Sequence, residues 1–341
     1  MTVDTLTLDT PQADKQTGNS VFDLSVIVIS YNTREMTLDC LRALYAGLGE
    51  LSAEVFVIDN ASADGSPQAI REAFPEARVI ENSGNAGFGA ANNQAMLLAS
   101  GEFFLLLNSD AFVETEAIPA LTAYLRASPE AGAVGPRLLN ADGTLQLSCY
   151  RFPSPLGVWL EQLWVSALVP NHPVLGYYRR WGHDRERQVD FVIGACLLVR
   201  RQAYQDVGGF DDSFFMYQEE TDWQRRMHDR GWKIGFTPAA QVTHLGGASG
   251  EGEKAKISGH FFDSMDHYLR KHYGLSGLVS LRLAMFLGCF LRLLLWLGVS
   301  AAVPSRRAVA WSKVRLMAWL CVRQATYWRT SPSSKQSLKQ L

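Results

Sequence analysis

Cysteine is scarce in this 341-residue chain, and its five copies (Cys40, Cys149, Cys196, Cys289, Cys321) are scattered and never spaced Cys-x-x-Cys. That argues against a disulfide framework or a zinc ribbon and for a reducing compartment. The first twenty residues lack a basic n-region and an apolar h-region and carry Asp4, Asp9 and Asp14, so residues 1–22 read as a polar, disordered leader. No G-x-G-x-x-G follows the first β-branched run, Leu24 to Ser30, which ends in Tyr31-Asn32-Thr33. A nicotinamide dehydrogenase would need that fingerprint there. A nucleotidyltransferase would want a Gly-rich basic loop at the same point, and there is none.

Acid is missing from the C-terminal segment. No Asp or Glu follows Asp266, while residues 267–341 hold 12 of the 32 Lys and Arg, leaving the tail at +12 and the body at −14. The tail is also apolar. Leu275 to Val303 is broken only by Arg282 and Arg292 among its charges, and Ala308 to Trp328 sets Trp311, Trp319 and Trp328 among Lys313, Arg315 and Arg323. Basic, aromatic and aliphatic residues mixed in this way suit helices lying in the headgroup region of an anionic membrane surface. Leu283 to Val303 is long enough for a span, with Arg292 against it. A basic helical pair packed on the acidic body is the alternative. Nucleic acid is not expected as a partner, because long aliphatic runs dilute the basic residues.

What is present in the body is an alternation of short strands and helices. Leu24–Ser30, Glu54–Ile58, Arg78–Glu81 and Phe103–Leu107 are the first four strands, and residues 34–47, the stretch after Ser66 and Ala90–Ser100 are helical. Strand–helix alternation predicts an α/β fold with a mainly parallel sheet and right-handed crossovers. Each strand ends in a polar loop, and the carboxyl edge of such a sheet is where ligands bind. The fourth strand, five apolar residues long, runs into Asn108-Ser109-Asp110. Asp59 and Asp64 follow the second strand, and Asn82-Ser83-Gly84-Asn85-Ala86-Gly87-Phe88-Gly89 follows the third. Alone, each of these loops also reads as a turn or a helix cap. Residues 152–188 are irregular and rich in Pro and Trp, and Val189–Val199 is a strong strand with Gly194 and Ala195 inside it.

Further along, Phe214-Phe215-Met216-Tyr217-Gln218 leads into Glu219, Glu220 and Asp222. Three carboxylates at a helix start suit the helix dipole. Beneath an aromatic run they also suit a general base with a raised pKa. His244 closes a strand ahead of Gly246-Gly247 and becomes a metal ligand if an acid holds a cation beside it.

In order along the chain, SVIVISYNT, VIDNASADGS, NAGFGAANN, LLLNSD, the Gly194-Ala195 strand, GGFDDSFFMY and QEETDW resemble the motifs of family 2 glycosyltransferases of the GT-A fold. The subgroup they are most similar to comprises rhamnosyltransferases of bacterial surface polysaccharides. The resemblance spans about Leu24 to His244. It implies a GT-A catalytic domain over 23–266, with a donor-binding half near 23–115, an acceptor and base half near 116–266, and a basic apolar helical tail over 267–341. It implies that Tyr31, Asn32, Asp59, Asn85, Gly87, Phe88, Asn92 and Asn108 line the nucleotide-sugar donor site, with Gly194, Ala195 and Arg226 on the acceptor side. Asp110 corresponds to the last acid of the D-x-D element, and Asn108 stands at its first position. A Mg²⁺ or Mn²⁺ ion is then expected on Asp110, the donor diphosphate and His244. The usual Glu-Asp pair reads Glu219-Glu220 here, so Glu220 falls at the base position, with Glu219 and Asp222 as alternatives. The Gln-x-x-Arg-Trp element of processive enzymes has no counterpart after His244, which favours transfer of a single sugar. The implied reaction is an inverting transfer, with L-rhamnose from dTDP-rhamnose preferred. The implied acceptor is a polyprenyl-diphosphate-linked saccharide, used at the cytoplasmic face of the bacterial inner membrane. A non-catalytic sugar-nucleotide binder is the rival reading, since Asn108 and Glu220 both depart from the commonest pattern.

Overall fold

The structure is a computed structural model that describes residues 21–169, 172, 181–246 and 254–326. Most of the expected leader, part of the lobe expected over 152–188 and the tail from residue 327 lie outside the described residues. The donor-side elements are β1 (Phe22–Ser30), α1 (Arg34–Gly47), β2 (Ala53–Asp59), α2 (Ser66–Ala73), β3 (Arg78–Glu81), α3 (Phe88–Leu98), β4 (Gly101–Asn108) and β5 (Ala111–Val113). There follow α4 (Ala117–Ala127), β6 (Ala131–Leu139), β7 (Leu145–Gln146), β8 (Cys149–Tyr150), α5 (Pro155–Gln162), α6 (Val165–Leu168), β9 (Arg187–Val189), β10 (Phe191–Val192) and β11 (Cys196–Arg200). The chain continues through α7 (Arg201–Val207), α8 (Glu219–Asp229), β12 (Lys233–His244), α9 (Lys254–Ala302) and α10 (Arg307–Thr326).

The main sheet has the order β3-β2-β1-β4-β11-β6-β12-β5. Its first four strands are parallel, as the alternation requires. Beyond β4 the sheet is mixed. β11 lies antiparallel between β4 and β6, β12 is parallel to β6, and β5 is antiparallel to β12. The expected single strand Val189–Val199 is broken into β9, β10 and β11, with residues 193–195 left between them. This arrangement has a positional consequence. An antiparallel β11 brings its first residues to the edge where β1, β2 and β4 finish, and β12, running the same way as β4, delivers His244 to that edge too.

β4 shows why the sheet is stable. Its side chains alternate, Phe103, Leu105 and Leu107 entering one apolar layer and Phe104 and Leu106 the other, which is the two-residue period of a strand covered on both faces. Each such side chain contributes about 1.5–3 kcal/mol on burial. In α1, Leu38, Leu41 and Leu44 face the first layer. Trp223 and Met227 of α8 face the second.

The tail is helical, and α9 runs through the expected 266/267 boundary. Its backbone leaves helical values at Gly274 (φ 67°, ψ −162°). The bend there is large: Arg282 is bonded to Asp266, although sixteen residues of straight helix would separate them by about 24 Å. α9 is therefore two arms folded on each other, with Tyr268 and Leu269 of the first packing near Leu281 of the second. α10 completes the bundle. Arg282 also donates to Gln324 (3.0 Å), and Arg323 pairs with Asp263 (2.7 Å). Arg292 donates to Gln162 of α5 (3.1 Å) and stacks on Trp164. Both arginines that interrupt the apolar run are thus used internally. Leu283, Phe286, Phe290, Leu294 and Leu295 of α9 and Trp311 and Trp319 of α10 stay exposed. By length and composition alone, Gly259–Ala302 contains a stretch apolar enough to cross a membrane.

Gly101, at the start of β4, lies directly against the β1 backbone. A Cβ there would lie 2.4 Å from the Ser25 amide nitrogen and 2.5 Å from the Leu24 carbonyl carbon, atoms that cannot yield without parting the strands. Gly101→Ala is expected to cost about 1–3 kcal/mol, read as a lowered urea midpoint by far-UV circular dichroism.

Candidate active site

Four loops meet at the carboxyl edge of β1–β4, and their mutual hydrogen bonds hold them there. After β1, the Asn32 amide donates to Ser62 Oγ (2.9 Å) and Asn32 Oδ1 accepts from the Ala63 amide (2.8 Å), with Asn32 itself left-handed at φ 52°. Tyr31, beside it, is exposed. Asn60, which as sequence reads as an ordinary turn residue, ties the second loop to the third. Its Nδ2 donates to the Gly87 carbonyl (3.3 Å), and its Oδ1 accepts from Asn82 Nδ2 (2.9 Å). Asp59 is fully buried. Its Oδ1 accepts from the Ser62 amide (2.7 Å), and Oδ2 has no partner among the described residues. A buried unpaired carboxylate oxygen costs free energy unless a ligand donor meets it.

The third loop leans on the turn before α8. Asn85 Oδ1 accepts from the Gly87 amide (2.9 Å), Gly87 is at φ 84°, and the Phe88 amide donates to the Phe215 carbonyl (3.3 Å). A Cβ on Gly87 would fall 2.4 Å from that same carbonyl oxygen, so only glycine allows the approach. Asn92 turns inward. Its Nδ2 donates to the Phe88 carbonyl (2.9 Å), and its Oδ1 is buried without a partner among the described residues.

At the end of β4, His244 reaches Asp110 because β5 pairs with the last residues of β12, His244 opposite Ala111. His244 Nε2 lies 3.3 Å from Asp110 Oδ1 and 3.4 Å from Asn108 Nδ2. Gln146 orients the ring. Its Nε2 donates to Asn140 Oδ1 (3.0 Å) and to the His244 carbonyl (3.1 Å), so its Oε1, 2.7 Å from His244 Nδ1, is the acceptor. When the ring is neutral, its proton sits on Nδ1 and Nε2 turns a lone pair towards Asp110. An imidazole lone pair and a carboxylate facing each other at this distance fit a divalent cation. Among the described residues no three His, Cys, Asp or Glu side chains group as a metal site.

Gly194 and Ala195 join this corner to the acids of α8. The Asn108 amide donates to the Ala195 carbonyl (3.0 Å). The Cβ position of Gly194 lies 3.5 Å from the Phe88 ring and 3.6 Å from Glu220 Cβ, and the Gly194 amide bonds to the Glu220 carboxyl. Glu219 and Glu220 start α8 after two consecutive left-handed residues, Tyr217 (φ 67°) and Gln218 (φ 66°). Such non-glycine conformations cost about 1–3 kcal/mol each and persist where surrounding structure enforces them. Burial and the adjacent Glu220 push Glu219 well above the usual carboxylate range. Burial also raises Glu220, with the Gly194 bond opposing it. One oxygen of each is buried and has no partner among the described residues.

Asp222 and Arg226 stand apart from that pair. Asp222 is fully buried, with Arg226 Nε at 2.9 Å and Lys271 Nζ and His272 Nε2 each at 2.8 Å. Burial opposes its ionisation, but the bonds from His272 and Lys271 and the charge of Arg226 outweigh it and hold the carboxyl below its ordinary range. A carboxylate held by three cationic partners is an anchor, and its lowered proton affinity makes it a poor taker of an acceptor proton. Arg226, expected on the acceptor side, spends its other nitrogens on the Val207 and Gly209 carbonyls (2.7 and 2.6 Å). Lys271 and His272 carried no signal in the sequence, because they approach from a helix some fifty residues away.

These acids predict opposite pH responses. Asp222, lowered in the fold, stabilises fully above about pH 4 and loses that contribution as pH falls through its folded value. Asp222→Asn is therefore expected to cost about 3–5 kcal/mol at neutral pH, with the deficit shrinking in acid. Glu219, raised in the fold, destabilises as pH rises above about 4. Glu219→Gln is expected to be more stable than wild type at neutral pH and equal to it in acid, as denaturant midpoints followed by tryptophan fluorescence would show.

Known proteins are similar to this chain in family and in fold. Residues 25–208 match the model of the Glycosyl transferase family 2. The N-acetylglucosaminyl-diphospho-decaprenol L-rhamnosyltransferase of Mycobacterium tuberculosis is 33% identical over 207 residues, covering 57% of this chain and 67% of that protein. The low-salt glycan biosynthesis hexosyltransferase Agl10 of Haloferax volcanii is 24% identical over 226 residues, covering 65% of this chain and 67% of that one. Among solved structures, the mannosyltransferase PcManGT of Pyrobaculum calidifontis, in complex with GDP-Man and Mn²⁺, superimposes with a TM-score of 0.51 at 16% identity over 90% of this chain and 88% of its own. That likeness is one of fold. With the family match covering more than half its length, the chain belongs to glycosyl transferase family 2 and is a glycosyltransferase of rhamnosyltransferase-like type.

Proposed function

We propose that this glycosyltransferase moves one sugar, L-rhamnose from dTDP-rhamnose by preference, onto a saccharide carried on polyprenyl diphosphate, with inversion at the anomeric carbon. The donor and acceptor classes follow the 33% identical relative, whose name carries both a rhamnosyl transfer and a decaprenol-linked saccharide. The observation that carries the catalytic reading is the Gly194 junction. It sets Glu220, raised by burial, against Phe88 of the donor loop and one residue from the Asn108–Ala195 bond.

In this reading the unpaired Asp59 oxygen receives a nucleobase N–H, and Tyr31, Asn32, Asn85, Gly87, Phe88 and Asn92 shape the nucleotide site. Asp110 and His244, with Asn108 beside them, would hold Mg²⁺ or Mn²⁺. That ion supplies charge neutralisation for the departing diphosphate when bound. Glu220 takes the proton of the attacking acceptor hydroxyl. Burial keeps the proton affinity of Glu220 high. The exposed apolar and aromatic faces of α9 and α10 support association with an anionic membrane surface, at the cytoplasmic face of a bacterial inner membrane. We assign residues 23–115 to donor binding, 116–266 to the acceptor and base half, and 267–341 to the tail, whose packing extends back along α9.

The test is release of nucleoside diphosphate from dTDP-, UDP- and GDP-sugars with Mg²⁺ or Mn²⁺ and a polyprenyl-diphosphate-linked saccharide. Acceptor-dependent release with dTDP-rhamnose is expected. Glu220→Gln should lower kcat by about 10²–10⁴-fold, and Asp110→Asn should weaken both donor binding and turnover. Because the base must be ionised and burial raises its pKa, activity should climb as pH rises above the ordinary carboxylate value of about 4, a limb absent from Glu220→Gln. A Glu220→Gln enzyme as active as wild type would overturn the assignment, and release from a UDP- or GDP-sugar would replace the donor.

A further inference from the structure

A cavity of about 820 Å³ lies between the α8 turn and the helical tail, within the range of sites that hold small ligands. Its walls differ in chemistry. On one side stand Gln218 and Glu220. Gln218 is only 8% exposed, and its Oε1, like Glu220 Oε2, is buried without a partner among the described residues. Two orphaned acceptors at one wall call for donors, and the donor they share is a hydroxyl group. On the other side stand Phe262, Met265, Leu281 and Met285, from both arms of α9, and Val158 of α5. Such a wall takes hydrocarbon. Arg151 adds a cation to the lining. α9 then carries its apolar character out of the cavity to the exposed Leu283, Phe286 and Phe290.

We propose that this cavity is an amphiphile site in which the hydroxyls of a lipid-linked saccharide bond to Gln218 and Glu220, while the hydrocarbon next to its diphosphate lies between α5 and the two arms of α9. The tail is then a wall of the acceptor site as well as an attachment. The inference depends on the proposed function only in naming Glu220 as the base that meets one of those hydroxyls.

Photolabelling tests the site without requiring turnover. The probe is N-acetylglucosamine joined through a diphosphate to farnesol bearing a diazirine, added to the full chain in nanodiscs. The expected labelled residues, located by fragment-ion sequencing, are Phe262, Met265, Leu281 and Met285. Met285→Trp, which fills the cavity, should lower labelling on the order of tenfold, the equivalent of a few lost methylene contacts. Met285→Ala, which leaves room, should retain it, with nucleotide binding unchanged in both as the check on folding. Labelling confined to the outer residues Leu283, Phe290 or Trp319, or labelling indifferent to Met285→Trp, would overturn the proposal. Labelled cavity residues together with a Glu220→Gln enzyme as active as wild type would sustain the site and remove Glu220 as the base instead.

Discussion

A carboxylate with no exposed surface joins the two parts of this molecule. Asp222 lies one turn into α8 and meets Arg226 from its own helix and Lys271 and His272 from α9. A buried charge left without partners costs several kcal/mol, so neither helix can withdraw without stranding it. The same helix start carries Glu219 and Glu220, and the turn before it carries two left-handed residues. Ser264 of α9 donates to the Met216 carbonyl in that turn (2.8 Å), and His267 Nε2 is 2.7 Å from Ser213 Oγ. The tail thus braces the segment that aims the acids. Sheet and tail form one machine rather than an enzyme with a tether.

Environment, more than residue type, separates the three acids. Burial raises the proton affinity of Glu219 and Glu220, with the Glu220 charge adding to the rise at Glu219; Asp222, two residues on, is buried against cations that lower it. Geometry performs the same sorting at β4, where a strand register sets His244 beside Asp110 and Gln146 decides which ring nitrogen faces it.

Much of this was legible in the residues. The first four strands and their polar ends could be read because each strand is a dense apolar run and each loop breaks it abruptly, and the carboxyl edge then follows from α/β topology. The mixed half of the sheet was not legible. A strand covered on both faces has the same pattern whichever way its neighbour runs, so β11 could be found in the sequence but its direction could not. Residues that act by long-range pairing were also silent. Gln146, Asn60, Gln218 and Lys271 resemble ordinary polar positions until the fold brings them to His244, Gly87, the cavity and Asp222. The arginines of the tail misled in the opposite sense, since Arg282 and Arg292 looked like interruptions to a membrane-facing face and are internal struts.

Gly274 has a wider meaning than a bend. Because the chain doubles back there, the arm that holds the α8 turn and the arm that shows leucine and phenylalanine to the outside are one uninterrupted piece of polypeptide. An anchor built this way is not an interchangeable part. Trimming it to obtain a freely soluble enzyme would take away Leu281 and Met285, and grafting on another protein's anchor would replace them with side chains of another shape. Lineages that change the surface they work on would then have to adjust this arm at the same time, while residues 25–208, which carry the family signature, lie outside it.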